Sequence, residues 1–397
     1  MKIRSNAVRF LAVATLIAAT AQSLGARPHN GLGEYERLFS GFGALPDWWL
    51  NDSSSLAYGA MGNMPALNSA GEISALLNGM DQPHYLGDPD SPGHYGSRDG
   101  RHPRNWGAWE VSGFAQWNFA NYDRAPSRPV YDLETWGGGV ALQRWVDGEH
   151  LVGFSASHNH NRVRLHNHGG TGGGTIEGGN ARVRAYAALV PEGQPWWIAV
   201  GLSGGFADFD TTRHFMDLNG NATTVKANPD GYEVGAFAAL NLRLRLTNEL
   251  TFKPVLRLDY TSVSMARFKE STTGGGEPSQ HFGSKINRFT AESLQSRLGA
   301  ALEHRSDYGP FQLTASCSVA WADEWSGNDI KITSEFINYG APCHVYAGQL
   351  FNDAVEFSPA FSLAFRNGLV LHGTYQLQVT FGGQFSQGVM GGVAWRF

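Results

Sequence analysis

The chain has 397 residues, a formal net charge of -5, only 16% charged residues, and as many as 50 glycines and 12 tryptophans. So small a charge excess excludes a nucleic-acid binder that works by neutralising phosphates. A slightly negative mean hydropathy, with no apolar run near eighteen residues after the N-terminal stretch, excludes a bundle of membrane helices.

At the N-terminus, Lys2, Arg4 and Arg9 precede an apolar run from Phe10 to Ala18 that is too short to span a bilayer. Ala19-Thr20-Ala21 fits a small-x-small cleavage site. The pattern predicts a removed secretory signal over residues 1–21, with cleavage as late as Ala26 as the alternative. Residues 22–105 form an N-terminal extension. Within it, Pro, Gly, Asp and His cluster between Gln82 and Arg104 as a linker. Ile73, Leu76, Leu77 and Met80 stand at helical spacing and predict a short helix over 67–80.

From Trp106 onward the chain contains twelve strand-like runs. They lie near 106–122, 132–146, 149–163, 180–191, 195–208, 231–247, 250–266, 289–305, 309–323, 355–366, 369–381 and 385–397. The sixth is the clearest: Tyr232, Val234, Ala236, Ala238, Leu240, Leu242, Leu244 and Leu246 alternate with Glu233, Asn241, Arg243 and Arg245. Such alternation outruns the usual soluble strand and suits a tilted membrane crossing. Tight turns at 147–148, 191–195, 246–249, 305–310 and 367–368 alternate with long connections around 123–131, 164–179, 209–230, 267–288 and 324–354. Short turns on one side and long loops on the other, with an even strand number, predict an all-β fold. It is a twelve-stranded antiparallel transmembrane β-barrel of the outer membrane, spanning residues 106–397, with the extension and its helix before it.

Alternation also sorts the side chains. Arg182, Arg184, Arg243, Arg245, Lys253, Arg257 and Arg297 should point into the lumen, together with Glu110, Glu233, Asp259 and Glu303. A charge on the lipid face costs about 2–4 kcal/mol at mid-membrane, so the interior is where charges belong. There they pair across strands to hold the barrel shape, or line a basic pore. Trp106, Trp109, Trp117, Trp145, Trp196, Trp197, Trp321, Trp325 and Trp395 cluster near strand ends, as interfacial girdles do. His158, His160, His166 and His168 form two H-x-H steps. Without an acidic or cysteine ligand nearby, and beside Gly169 to Gly174, they read as solvated histidines more than as a metal site. Ser155, Ser157 and His158 lie close together but carry no nucleophile elbow. No catalytic residue and no cofactor is predicted. Cys317 falls on an outward strand position and Cys343 in a loop, and the sequence leaves open whether they pair in an oxidising compartment.

Several features then form an ordered set: Trp-Gly-x-Trp at 106–109, Thr135-Trp136-Gly137-Gly138-Gly139-Val140, the stretch around Gly348, the strand holding Tyr375, and the terminal Val393-Ala394-Trp395-Arg396-Phe397. In these the chain resembles the autotransporter β-domain, the C-terminal translocator of type V secretion proteins. The resemblance implies a barrel whose pore holds a helix from the preceding segment, and through which a passenger reaches the cell surface. It also implies that the outward face of the last strand, Val393, Trp395 and Phe397, is read by the outer-membrane barrel assembly machinery. Residues 22–105 contain no β-helical repeat and no catalytic motif. The expectation is therefore a non-enzymatic translocator or scaffold with a short or vestigial passenger. Its partners are outer-membrane lipid and the assembly machinery, not nucleic acid, and it acts as a monomer. The alternative is a small channel or a surface-loop adhesin on the same barrel.

Overall fold

The structure is a computed structural model. It describes residues 59–81, 109–122, 131–146, 149–166, 172–191, 194–216, 222–274, 283–326, 330–337, 342–347, 353–380 and 384–396. The signal sequence, the linker after Asp81, Trp106, His168 and Phe397 lie outside the described residues.

Twelve strands make the wall: β1 (Trp109–Tyr122), β2 (Tyr131–Trp145), β3 (His150–Leu165), β4 (Gly172–Leu189), β5 (Trp196–Met216) and β6 (Asp230–Leu242, prolonged by Leu244–Arg245). They continue as β7 (Leu250–Met265), β8 (Phe289–Asp307), β9 (Phe311–Glu324), β10 (Asp353–Phe365), β11 (Leu369–Thr380) and β12 (Phe385–Arg396). Each pairs antiparallel with its sequence neighbour, and β12 returns to β1 over a register running from Glu110↔Arg396 to Asn121↔Phe385. That last ladder closes the sheet and leaves no edge strand in the wall. The fold is the closed twelve-stranded barrel expected from alternation and loop lengths.

Burial is inverted relative to a water-soluble domain. Phe154, Val183, Leu202 and Phe206 are 64% to 76% exposed, whereas Arg182 and Glu233 are nearly sealed at 3% and 2%. The outward row of each strand is apolar, so water is excluded from that face only by lipid. The inward row is polar and packs around a helix. The tight turns sit at one end. Gly309 (φ +85°) and Gly368 (φ +86°) take the left-handed conformation there, which costs a residue with a Cβ. Asp307 and Asn367 brace those two turns by accepting backbone N–H bonds from Gly309 and Leu369.

Three expectations change. β4 begins at Gly172 and β5 runs on to Met216, inside stretches read as connections. Past the membrane zone the outward side no longer needs to be apolar, so the alternation that marks a strand disappears from the sequence. The long connections also carry further strands. Ala222–Ala227 pairs with β5 and with Ser271–Gly274. Phe268–Lys269, Ser284–Ile286, Ile330–Phe336 and Pro342–Ala347 form a separate four-stranded sheet, which places Cys343 in a strand and not in a loop. Finally, Trp145 and Trp197 are at strand ends but face inward, 7% and 2% exposed. They belong to the interior packing and not to a girdle, since end position does not determine which face a residue occupies.

Candidate functional site

The interior is organised around α1 (Gly59–Asp81), which starts eight residues before the predicted helix because Gly59, Gly62 and Pro65 weaken its helical signature. Its buried side chains include the polar Asn68 and Glu72 as well as Met61, Met64, Ile73, Leu76 and Leu77, while Gly71 and Ser74 are half-buried. A helix that buries polar and apolar positions together over most of its circumference is enclosed, not laid on a surface. At 1.5 Å per residue its 23 residues reach about 35 Å, enough to run the height of the wall.

Three layers hold it. At the short-turn end, Ile73, Leu76 and Leu77 pack with Trp145, Leu151, Tyr186, Trp197 and Phe237. At the opposite end, Ala60, Met61 and Met64 join Tyr131, Leu133, Val163, Ile176, Phe209, Met265 and Phe289, with Ile286, Ile330 and Ile332 from the connections folded over them. Between these two apolar layers lies a polar one.

Its centre is Arg182 on β4. The guanidinium donates from Nη1 to Glu72 Oε2 at 2.9 Å, from Nε to Glu233 Oε1 at 2.5 Å, and from Nη2 to the Pro65 carbonyl at 2.8 Å. Arg184 stands 3.5 Å from Glu72 and donates to Ser69 Oγ at 3.1 Å. Asn159 donates to Glu72 Oε1 at 2.8 Å and accepts from Gln116 at the same distance. Asn68 donates to Asn161 and Asn180. On β7, Arg257 holds the Ala70 carbonyl and Ser74 Oγ at 2.9 and 2.8 Å while pairing with Asp259. Glycine makes the close approaches feasible. A Cβ at Gly71 would come 2.7 Å from Gln116 Oε1, and one at Gly205 would come 2.7 Å from Glu233 Oε1 and 2.3 Å from the Ala181 carbonyl.

The remaining charges lie beyond the helix contacts. Arg297 pairs with Asp259 and stands 3.3 Å from Glu356, and Lys253 and Arg305 both meet Glu303. Glu110 accepts from Gln143 at 2.6 Å near the lower rim. Arg243 is half-buried and Arg245 exposed at the short-turn end, away from α1. Beside the helix runs a cavity of about 190 Å³, whose lining includes the hydroxyls of Thr314, Ser316, Ser358 and Thr374 and the charged groups of Lys253, Arg257, Arg297, Glu303 and Glu356.

The histidine cluster separates. His158 and His160 face outward, His160 against the Trp136 ring at 4.3 Å, and His166 meets Asp132 at 2.7 Å. Among the described residues no group of three His, Cys, Asp or Glu converges on a point. Cys317 also faces outward, with its thiol unbridged. The residues that sequence reasoning missed are Asn68, Glu72, Asn159 and Asn161. Glu72 carried a usable signal, as the lone charged side chain between Gly59 and Met80. So did Asn159 and Asn161, which alternate with the outward histidines and are therefore inward.

A closed wall, apolar outside and charged inside around a helix, defines an outer-membrane β-barrel. The family model of the autotransporter β-domain matches residues 95–376, and this chain belongs to that family. Among solved structures it is similar to the translocator domain of the autotransporter NalP from Neisseria meningitidis. That match covers 87% of this chain and 100% of that one, with 12% identity and a TM-score of 0.59. It is also similar to the transport unit of the autotransporter AIDA-I from Escherichia coli, over 74% of this chain and 91% of the other, at 10% identity and a TM-score of 0.50. The β-domain of the Bordetella autotransporter BrkA matches 73% of this chain and 98% of its own length, at 15% identity and a TM-score of 0.48. At identities this low, the matches to NalP and AIDA-I show the shared fold alone. No curated protein sequence matches this chain.

Proposed function

We propose that the barrel delivers the segment upstream of Gly59 to the cell exterior and then retains α1 as a plug. The cargo is short or vestigial, and the chain performs no catalysis. The observation that carries this reading is the direction of the helix. Its N-terminal residues Ala60, Met61 and Met64 pack at the end with the long connections, whereas Leu76 and Leu77 lie at the short-turn end, where β1 starts. In an outer-membrane barrel the long connections are extracellular and the short turns periplasmic. A chain running down through the lumen has its upstream portion outside.

The test is a protease-cleavable tag inserted at Gly43, compared with the same tag at Pro89 in intact cells. Cleavage at Gly43 from outside, with Pro89 reached only after the periplasm is opened, supports export. A Gly43 tag reached only from the periplasm overturns it. Within the same proposal, residues 1–21 are the cleaved signal, the barrel is monomeric, and the assembly machinery reads the outward face of β12. Val393 and Trp395 are exposed there, at 44% and 51%. Deleting Phe397 should lower the yield of heat-modifiable protein in the outer membrane, and normal yield counts against that role. A small channel is the second reading, favoured by the cavity beside α1. A plugged translocator conducts weakly in a planar bilayer until residues 27–105 are removed; a channel conducts either way.

A further inference from the structure

Above the apolar belt the outward positions of the wall are mainly acidic, as at Asp208, Asp210, Asp230, Glu292 and Asp353. β3 departs from this. Its outward row reads Val152, Phe154 and Ala156 in the belt, then His158, His160, Arg162, Arg164 and His166 above it. Every second residue of one strand shares a face, so these five groups line up on the barrel exterior. They begin where the hydrocarbon zone ends, which is the depth of lipid head groups.

The two guanidinium groups are only partly engaged. Glu177 meets Arg162 at the Nε edge, 2.9 Å away, without the angle of a hydrogen bond. Glu134 stands 4.0 Å from Arg164 Nη2, and it already accepts the Trp117 indole N–H at 3.1 Å. Asp132 is taken by His166. The side chains of Arg162 and Arg164 remain 38% and 55% exposed. Just below them His158 lies between Gly138 and Ala181, and His160 between Trp136 and Gly179. The Trp117 and Trp136 rings stand beside these histidines, and the exposed side chains of Val140, Phe154 and Val183 lie underneath.

We propose that this face of β3 binds a phosphorylated acyl glycolipid of the outer leaflet. The Nη edges of Arg162 and Arg164 take the phosphate, since a planar guanidinium presents paired donors to phosphate oxygens. His158 and His160 meet the sugar hydroxyls, and the acyl chains lie on the apolar side chains of Val140, Phe154 and Val183. The open Nη edges of Arg162 and Arg164 select this occupant, because Glu177 and Glu134 beside them engage the guanidinium groups only in part. Elsewhere on the rim, Asp208, Asp210, Asp230, Glu292 and Asp353 would repel an anionic head group.

The full-length protein, refolded in a neutral detergent, is titrated with a diphosphorylated acyl disaccharide lipid carrying brominated chains, and tryptophan quenching is read. The expected result is saturable quenching that weakens at least tenfold in the Arg162→Gln/Arg164→Gln double variant and for the dephosphorylated lipid. An Arg288→Gln control, a cation stacked on Tyr232 at 5.4 Å elsewhere on the rim, should bind as the wild type does. Heat-modifiability reports that each variant is folded. Equal affinity for the dephosphorylated lipid, or wild-type binding by the double variant, overturns the proposal. So does a lipid-independent dimer that the double variant loses, because the face would then be a contact between copies of the chain.

Discussion

The two halves of the lumen are built from different chemistry. Among the described residues, the side-chain bonds of α1 run to β3, β4 and β7, through Asn159, Asn161, Asn180, Arg182, Arg184 and Arg257. The wall from β9 to β11 offers hydroxyls at Thr314, Ser316, Ser358 and Thr374, and between it and the helix lies a cavity that Arg297, Glu303 and Glu356 also line. Buried ions are costly to desolvate and repay that cost only with good geometry. The ions that touch the helix, Arg182, Arg184 and Arg257, fix where it sits and in which register, whereas Arg297, Glu303 and Glu356 pair within the wall beside the cavity. Neutral hydroxyls on the other side keep the space polar without gripping anything. The helix is therefore bonded through one sector of the wall while it also packs against β8 and β12, and the lumen is not filled symmetrically.

Breaking the gripping wall should have the largest effect. Arg182→Ala strips the counter-charge from both Glu72 and Glu233, and breaking a buried pair in this way typically costs about 3–5 kcal/mol. The expected outcome is a clearly lower unfolding temperature in detergent together with higher bilayer conductance as α1 loosens. A wild-type transition would show that the apolar layers alone hold the helix. Adding Glu72→Gln to an Arg182→Gln variant should recover part of the loss, because the two residues are in contact and their effects are coupled.

Next in size is Gly205→Ala. The added methyl would press on Glu233 and on the Ala181 carbonyl, and overpacking of this kind costs about 1–3 kcal/mol. Its effect should shrink in a Glu233→Ala background, and an undiminished loss would implicate the backbone contact alone.

The smallest effect belongs to the hydroxyl wall. Ser316→Ala should stay within about 0.5 kcal/mol of wild type, as changes away from packed or charged contacts do. The contrast sharpens with thiols in a background lacking Cys317 and Cys343. A cysteine replacing Ser316 should react with a small water-soluble reagent, and one replacing Ser69, which is 3% exposed, should stay protected. Equal reactivity would mean that the two halves of the lumen do not differ in access.

Much of the wall is readable from the chain alone. Tyr232 to Leu246 alternates so strictly that strand, face and register follow together, and a slip of one residue would turn Glu233 toward lipid. The same rule sorted Arg182 from Val183 and Cys317 from Ser318. It faltered where lipid no longer constrains the outward side, so the upper reaches of β4 and β5 read as loop. It also says nothing about neighbours. His158 and His160 drew attention by their chemistry, while Asn159 and Asn161 between them are the residues bonded to the lumen network.

Alternation is a local consequence of one residue facing lipid and the next facing the interior, so the sequence by itself determined the strands, their faces, the closed barrel and the compartment. Which side chains meet inside depends on closure, which brings β4, β6 and a helix from far upstream to one point. The pairing of Glu72 with Arg182 spans 110 positions, and no periodicity carries information over that distance. The direction of α1, its bonds to β3, β4 and β7 and the cavity beside it were decided only by the tertiary structure.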